Sequence, residues 1–191
     1  MLIINKKPRN ILVNSDCQLK ICDFGLSRPL FSNFKQKKNL MTEYVTTRWY
    51  RSPEVLLSWN RYNKSVDIWS AGCIFAELIN KKALFPGENS NLPLNLVINQ
   101  LELIFDLIGT PDIKEIEKIS QTENTMNFLL SLSKRKRKNF EDFFAYEDKN
   151  AIDLLNKMLE FDPEKRISVD EALRHTYFKG FNFNCDEEVI S

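Results

Sequence analysis

Residues 20–54 decide the fold of this chain, because they carry two motifs at a fixed distance from each other. They begin Lys20-Ile-Cys-Asp-Phe-Gly-Leu-Ser27 and end Met41-Thr-Glu-Tyr-Val-Thr-Thr-Arg-Trp-Tyr-Arg-Ser-Pro-Glu54. Asp23 follows a predicted strand, where a carboxylate is held rigidly enough to bind magnesium, a hard cation that prefers oxygen ligands. Between the motifs the chain lacks sustained periodicity, so residues 23–52 are predicted to form one long loop. Loops of this length in compact domains usually have a function.

Composition and charge exclude several classes of protein. The chain has 191 residues, of which 43% are apolar and 12% aromatic, as in a folded domain with a substantial core. Its net charge of +1 predicts neither nucleic acid nor membrane as a general partner. The single histidine, His175, argues against a histidine metal site or a Ser-His-Asp triad. Four cysteines without paired spacing favour a reducing compartment, the cytoplasm or the nucleus.

The remaining pattern predicts a mainly helical body with one small hairpin. Two short apolar runs, residues 11–13 and 19–21, are joined by Asn14-Ser15-Asp16 and indicate the hairpin. Pro53 can open a short helix through Leu57. A longer helix is predicted from a Ser65 cap to about Asn80, and its apolar residues, Leu78 among them, lie nearly all round, so it should be buried. Three more helices are predicted: over residues 94–108 before Gly109, over residues 151–159, and after the capping box that begins at Ser168.

Taken together, these motifs resemble the C-terminal lobe of a eukaryotic protein kinase, and specifically of a mitogen-activated protein (MAP) kinase of the extracellular-signal-regulated type. The resemblance covers about residues 7–185. The matching stretches are Lys7-Pro8-Arg9-Asn10, residues 19–26, residues 42–54, residues 65–73, Leu84-Phe85-Pro86-Gly87, residues 107–111 and residues 159–167. It implies a partial kinase domain over residues 1–191, with a catalytic-loop remnant at 5–10, an activation segment at 23–54, a MAP-kinase-type insert at about 110–144 and an acidic tail at 184–191.

The resemblance also implies ATP and Mg²⁺ as cofactors and gives five positions near them a role. Asp23 would hold the metal that bridges the ATP phosphates, and Asn10 would hold a second metal. Lys7 would contact the transferring phosphoryl group. Leu12 and Cys22 would form the apolar floor under adenine.

The activation segment is expected to be a switch. By resemblance, an upstream dual-specificity MAP kinase kinase would phosphorylate Thr42 and Tyr44. Arg48 and Arg51 would then receive the phosphotyrosine through charge-assisted hydrogen bonds. The segment so ordered would accept protein substrates in which proline follows the phosphorylated Ser or Thr.

Three further positions are expected to be structural. Glu54 and Arg166 would form a buried ion pair that anchors the segment, and Asp67 would brace the catalytic loop.

Two charged stretches suggest docking surfaces, each with an ordinary alternative. Asp186 and Glu187 fall where MAP kinases bind basic docking peptides, although Phe183 stands at one expected aspartate, and a frayed acidic tail explains them equally. Residues 134–138 could serve nuclear import or docking, but we favour a solvated loop.

The resemblance breaks at the start of the chain. The family's catalytic loop begins His-Arg-Asp, whereas Ile3, Ile4 and Asn5 stand at those positions, and a neutral amide cannot act as a general base. No glycine precedes Gly25, so we expect the Gly-rich loop and the whole N-terminal β lobe to be absent. We favour an out-of-context start, such as intron-derived translation, over a genuine loss of catalysis.

These observations leave two functional hypotheses. The first is a proline-directed serine/threonine kinase of MAP kinase type whose present chain is inactive alone. The alternative is a non-catalytic pseudokinase, or docking module, that binds partners without turning over ATP.

Overall fold

The computed structural model describes residues 2–3, 7–23, 28–29, 48–57, 63–88, 93–120, 122–146 and 148–181. Within these residues the fold is mainly helical. The helices are α1 (Pro53–Leu57), α2 (Ser65–Asn80), α3 (Pro93–Ile108), α4 (Ile113–Ile119), α5 (Glu123–Ser131), α6 (Phe140–Phe144), α7 (Lys149–Met158) and α8 (Val169–Leu173). Three single-turn 3₁₀ helices lie at Pro8–Asn10, Arg48–Tyr50 and Thr176–Phe178. The predicted fold class is confirmed.

The predicted hairpin is present, with a longer connection than expected. Strands β2 (Ile11–Val13) and β3 (Leu19–Ile21) pair antiparallel with Ile11 opposite Ile21. The connection runs from Asn14 to Gln18 rather than ending at residue 16. The Asn14 side chain closes it, because its Oδ1 accepts the backbone N–H of Gln18 at 2.8 Å. Cys17 has a left-handed φ of 60°, which the apolar pattern could not reveal.

A second two-stranded ribbon was not predicted. Strand β1 (Leu2–Ile3) pairs antiparallel with β4 (Arg28–Pro29). The long loop predicted for residues 23–52 includes residues 28 and 29, because a two-residue strand has no periodicity to detect. The pairing joins the start of the chain to the segment that follows the Asp-Phe-Gly motif.

The central helix α2 begins differently from the prediction. Ser65 is its first residue rather than its cap, and Lys64 precedes it without a capping side chain. Asn63 does the capping work instead, because its Oδ1 accepts the backbone N–H of Ser65 at 3.0 Å. The expectation that α2 is buried nearly all round is wrong at Leu78, which is 63% exposed. One face of the last turn therefore reaches solvent.

The main core lies where α2, α3 and α7 meet. Its completely buried residues include Trp69, Cys73 and Ala76 of α2, Leu101 and Phe105 of α3, and Leu155 of α7. Gly72 permits the close approach of α2 to the end of α7, since a Cβ there would lie 3.1 Å from both Met158 Cβ and Leu159 Cδ2. Burial raises the pKa of the Cys73 thiol well above its usual range, so Cys73 is a neutral core side chain.

The other helix ends follow the sequence signals. Gly109 follows α3 with a φ of +79°, and a Cβ there would lie 2.8 Å from the backbone nitrogen of Arg137. The Ser168 capping box at α8 is confirmed. A second capping box, Asp112 with Glu115, opens α4. Helices α4, α5 and α6 thus occupy the region expected to be the insert.

Candidate functional site

The two expected metal-binding residues lie together at one end of the hairpin. Asn10 ends the 3₁₀ turn before β2 and is buried. Its carbonyl accepts the backbone N–H of Cys22 at 2.8 Å, which extends the hairpin pairing by one step. Its side-chain Nδ2 donates to Asp23 Oδ2 at 3.4 Å. Asp23 itself has a φ of 62°, a conformation uncommon outside glycine and typical of functional turns.

The expected adenine-floor residues share one face of the hairpin. Because Leu12 pairs with Lys20 and Cys22 pairs with Asn10, the alternation of a strand puts Leu12 and Cys22 on the same side. Leu12 is 57% exposed and Cys22 is half-buried. Lys7, also half-buried, immediately precedes the 3₁₀ turn that carries Asn10. The hairpin therefore presents an accessible apolar surface next to the Asn10–Asp23 pair.

The turn at residues 48–51 buries two arginines. Arg48 and Arg51 are 4% and 6% exposed, and the backbone N–H of Arg51 donates to the carbonyl of Arg48 at 2.9 Å. The Arg48 guanidinium donates to the carbonyl of Glu88, but its buried Nε has no hydrogen-bond partner. Burial, and then the neighbouring Arg51 charge, lower the pKa of Arg48 from its usual value.

The end of the expected activation segment is fixed by a buried ion pair. Arg166 Nη1 and Nη2 donate to the two carboxylate oxygens of Glu54 at 2.7 and 3.1 Å, and both side chains are at most 1% exposed. The three other guanidinium N–H groups donate to the carbonyls of Glu160, Ser65 and Phe161. All five Arg166 donors are therefore satisfied, as a buried guanidinium requires.

Residues that sequence analysis had not singled out hold this region against α2. The Ser70 hydroxyl donates to the carbonyl of Tyr50 at 3.0 Å. The Tyr50 hydroxyl donates to Glu77 Oε2 at 2.7 Å, and burial together with this bond raises the pKa of Tyr50. Trp69 lies under the Arg166 guanidinium, with 5.1 Å between the guanidinium carbon and the ring centroid. These contacts join distant stretches of chain, so no local signal could have identified them.

Several expected site residues cannot be placed. Asn5, Thr42, Tyr44, Asp186 and Glu187 lie outside the described residues.

Asp67 is half-buried in the first turn of α2. Its expected contacts are with the catalytic loop, and its role there stays a prediction.

The residues at the hairpin end fit a magnesium site shared with phosphate. A carboxylate and an amide supply hard oxygen ligands, and Mg²⁺ commonly takes one or two protein ligands and completes its shell with phosphates and water. Among the described residues there is no cluster of three or more His, Cys, Asp and Glu side chains that would cage a metal ion by itself. The arrangement therefore suits a metal that arrives with a nucleotide.

Comparison with known families identifies the class of protein. Residues 6–178 match the protein kinase domain family, and the chain belongs to that family. The Asn10–Asp23 pair and the Glu54–Arg166 pair thus lie within a kinase domain. As a family, protein kinases use ATP and Mg²⁺.

The similar relatives are MAP kinases. The chain is 48% identical to mitogen-activated protein kinase sty1 of Schizosaccharomyces pombe and 48% identical to mitogen-activated protein kinase HOG1 of Gibberella zeae. It is 46% identical to extracellular signal-regulated kinase 1 of Dictyostelium discoideum. Each match covers 96% of this chain but only 48%, 47% and 32% of the relative, respectively. The predicted MAP kinase resemblance is confirmed. The chain spans a third to a half of the length of these relatives.

No helix in the described part of the chain is both long and apolar enough to cross a membrane.

Proposed function

We propose that the protein to which this chain belongs transfers the ATP γ-phosphoryl group to Ser or Thr residues that precede proline in protein substrates. The observation that carries the proposal is the placement of Asn10 and Asp23, whose side chains meet at 3.4 Å at the end of the hairpin. This position lies beside the accessible face of Leu12 and Cys22. A phosphate-bound metal and an apolar base need such adjoining surfaces.

Each of these residues has a role in the proposal. Asp23 and Asn10 would hold Mg²⁺, which supplies charge neutralisation for the phosphates when it is bound. Lys7 places a positive charge near the phosphoryl group. Leu12 and Cys22 exclude water from the adenine face.

The proposal is tested by sequencing the full-length transcript and assaying the kinase activity of the protein that it encodes. If its transcript encodes an upstream Gly-rich loop and His-Arg-Asp in place of residues 3–5, the expressed protein should phosphorylate a Ser-Pro peptide and not the matched Ser-Ala peptide. Asp23→Ala should abolish this activity while leaving the thermal unfolding temperature nearly unchanged, since Asp23 is exposed. A full-length protein that phosphorylates neither peptide contradicts the proposal.

We also propose that phosphorylation of Thr42 and Tyr44 by an upstream dual-specificity kinase switches the enzyme on. The support is the turn at Arg48 and Arg51, where two positive charges are buried side by side. Burial, and then the Arg51 charge, lower the pKa of Arg48. A phosphotyrosine dianion would relieve that like-charge repulsion and accept their hydrogen bonds.

The switch is tested by comparing unfolding temperatures before and after phosphorylation of Tyr44. Phosphorylation should raise the unfolding temperature in the unchanged protein, but not in Arg48→Met. Arg174→Met, a change at an exposed arginine of the same charge, is the matched control and should preserve the shift. An equal shift in Arg48→Met and the control would exclude Arg48 as the phosphotyrosine ligand.

The 191-residue polypeptide by itself is proposed to be catalytically inactive. Asn5 cannot accept the proton of a substrate hydroxyl, and Ile4 cannot make an arginine's contacts to a phosphorylated segment. ATP turnover by the purified chain should therefore equal that of its Asp23→Ala variant. A clearly higher rate in the unchanged chain would overturn this proposal.

The alternative function is a docking module, and Asn5 at the catalytic position is the observation that favours it. Its acidic residues Asp186 and Glu187 would bind basic docking peptides in the cytoplasm or the nucleus. Retention of such a peptide without ATP, and its loss in Asp186→Lys with Glu187→Lys, would support the module. Retention that is indifferent to both changes would exclude this tail as the docking site.

A further inference from the structure

The basic segment, residues 134–138, is held in a fixed extended path against the end of α3. Thr110 makes two hydrogen bonds to Arg135, the second residue of the segment. The backbone N–H of Thr110 donates to the Arg135 carbonyl, and the Thr110 Oγ1 accepts the Arg135 N–H, both at 2.9 Å. The N–H of Lys138 donates to the carbonyl of Leu107 at 2.9 Å. The segment is therefore anchored at both ends, which a freely solvated loop would not be.

The two arginines of the basic segment contact the body of the fold, although Arg137 is itself exposed and only Arg135 is half-buried. Arg135 Nε lies 2.8 Å from Asp106 Oδ1, and its Nη1 donates to the carbonyl of Glu102 at 3.0 Å. Arg137 Nη2 donates to Asn156 Oδ1 at 2.6 Å, and its guanidinium lies 5.3 Å from the centroid of the Phe140 ring. Arg135 is therefore paired with acidic side chains, whereas Arg137 is hydrogen-bonded to a neutral amide.

Lysines of the basic segment face outward. In an extended chain alternate residues share a side, so Lys134 and Lys136 lie opposite the two arginines, and both are exposed. Neither forms an ion pair with any described residue. Lys138 continues the row and stacks over the exposed Phe143 ring at 5.3 Å. The segment thus offers a row of positive charges at about 6–7 Å spacing.

An apolar cavity of about 470 Å³ adjoins the first of these lysines. The start of α4 and the end of α5 line it. Ile113, Ile116 and Leu130 are among its lining residues, together with two lysines, Lys114 and Lys134, and one carboxylate, Asp112. Ile113 and Leu130 are 57% and 43% exposed, so large apolar side chains face solvent here. Exposed apolar surface bordered by polar residues is typical of a binding site.

We infer that this cavity and the row of Lys134 and Lys136 form a docking site for an extended acidic peptide of a partner protein. A bulky apolar residue of the peptide fills the cavity, where Lys114 and Lys134 attract its acidic flank. Carboxylates at alternate positions then face the outward lysines, because both chains are extended and have the same repeat. This site is separate from the proposed nucleotide site and does not depend on catalysis.

The peptide is favoured over nucleic acid by the cavity wall. Its lining residues are aliphatic, charged or, at Thr110, hydroxyl-bearing, and none of them is an aromatic ring on which a base could stack. The net charge of the chain is only +1, so the long-range field that nucleic-acid binding requires is weak. The lysines and the adjoining apolar cavity of this chain are complementary to a peptide in which a few acidic residues follow one apolar residue.

The test measures binding of the labelled peptide Leu-Leu-Ser-Glu-Ser-Glu-Ser-Glu to the full 191-residue chain by fluorescence anisotropy. Two variants separate the two halves of the site. Lys134→Glu with Lys136→Glu should weaken binding about tenfold or more and reduce its salt dependence. Leu130→Ser should weaken binding by a similar factor while leaving the salt dependence unchanged. Circular dichroism melts check that both variants fold.

The matched control is Lys149→Glu with Lys179→Glu, which makes the same charge change at exposed lysines far along the chain. It should bind the peptide within about twofold of the unchanged chain, since it leaves the site intact. Loss of binding equal to that of the Lys134 and Lys136 variant would overturn the inference, as would absence of peptide binding at low salt. Displacement of the peptide by a single-stranded oligonucleotide, combined with no effect of Leu130→Ser, would assign the row to nucleic acid instead.

Discussion

Two buried arginines of this chain differ in how completely their surroundings satisfy them. Arg166, between α7 and α8, uses all five of its N–H groups, two of them on Glu54. Arg48, in the expected activation segment, is equally buried but has an Nε without a partner and a pKa lowered by burial and by Arg51. The first arginine is neutralised within the protein, whereas the second has one buried N–H donor without a hydrogen-bond partner.

This difference separates a structural ion pair from a proposed regulatory one. A buried ion pair contributes little net stability compared with a well-packed apolar pair. Removing only one partner is strongly destabilising, because the other charge is left buried and unpaired. A buried charge with unmet hydrogen-bonding capacity costs free energy until a ligand supplies it.

Arg166→Leu should have the largest effect on stability. It leaves the Glu54 carboxylate buried without a positive partner and leaves three backbone carbonyls without their donor. The free energy of unfolding should fall by about 3–5 kcal/mol, measured by urea denaturation at neutral pH.

The control for this prediction is the double variant Arg166→Leu with Glu54→Leu. It removes both charges, so it should recover part of the loss. A double variant that is as unstable as the sum of the two single variants would show that the pair has no coupling and would contradict the comparison.

Asp162→Asn should destabilise the loop between α7 and α8 that contains Arg166. The effect should be present at neutral pH and disappear at acidic pH. Burial of Asp162 would raise its pKa, but the N–H of Glu164 and the ammonium of Lys118 outweigh it and lower the pKa. A lowered carboxyl pKa stabilises the fold above the unfolded-state pKa of about 3.9, and this stabilisation is lost as pH falls through the folded value.

The expected difference between Asp162→Asn and the unchanged protein is about 1–2 kcal/mol at neutral pH, shrinking toward zero below about pH 3. Urea denaturation across this range measures it. Asp170→Asn, at an exposed carboxylate, should show a smaller difference. A difference for Asp162→Asn that grows as pH falls would reverse the sign argued here.

Arg48→Met should change stability far less than Arg166→Leu, although both arginines are buried. The substitution loses the donor to the Glu88 carbonyl but removes the repulsion from Arg51. The free energy of unfolding of the unphosphorylated protein should change by about 1 kcal/mol or less. A loss as large as that of Arg166→Leu would show that Arg48 is already neutralised, and would remove the distinction between the two arginines.

Lys157→Ala should cause the smallest change in the free energy of unfolding, because it breaks an ion pair at the surface. Lys157 Nζ lies 2.7 Å from Asp153 Oδ2 one helical turn away, and both side chains are about half exposed. Exposed pairs of this kind contribute about 0.5 kcal/mol or less. An effect above 1 kcal/mol in the same denaturation assay would show that the pair, with neighbouring His175, is coupled to the core.

Much of the fold could be predicted because its signals are local. The capping box at Ser168, the glycine that ends α3 and the apolar runs of β2 and β3 are each read within a few residues. The failures have two different origins. Asn63 rather than Ser65 caps α2, a local choice between two possible capping residues, whereas Leu78 is exposed because no described element covers that side of the last turn.

The sequence alone determined the class of protein. The order and spacing of Asp23-Phe24-Gly25 and Ser52-Pro53-Glu54 specify a kinase activation segment, since each motif is a short run whose chemistry depends on neighbouring residues. Tertiary structure decided which charges are satisfied. Arg48, Arg135 and Arg166 look alike in a sequence. Only the packing of distant carboxylates and carbonyls gives Arg135 and Arg166 acidic partners and leaves Arg48 with one buried N–H unpaired. Desolvation and hydrogen-bond geometry depend on what surrounds a side chain in three dimensions, and no local pattern contains that information.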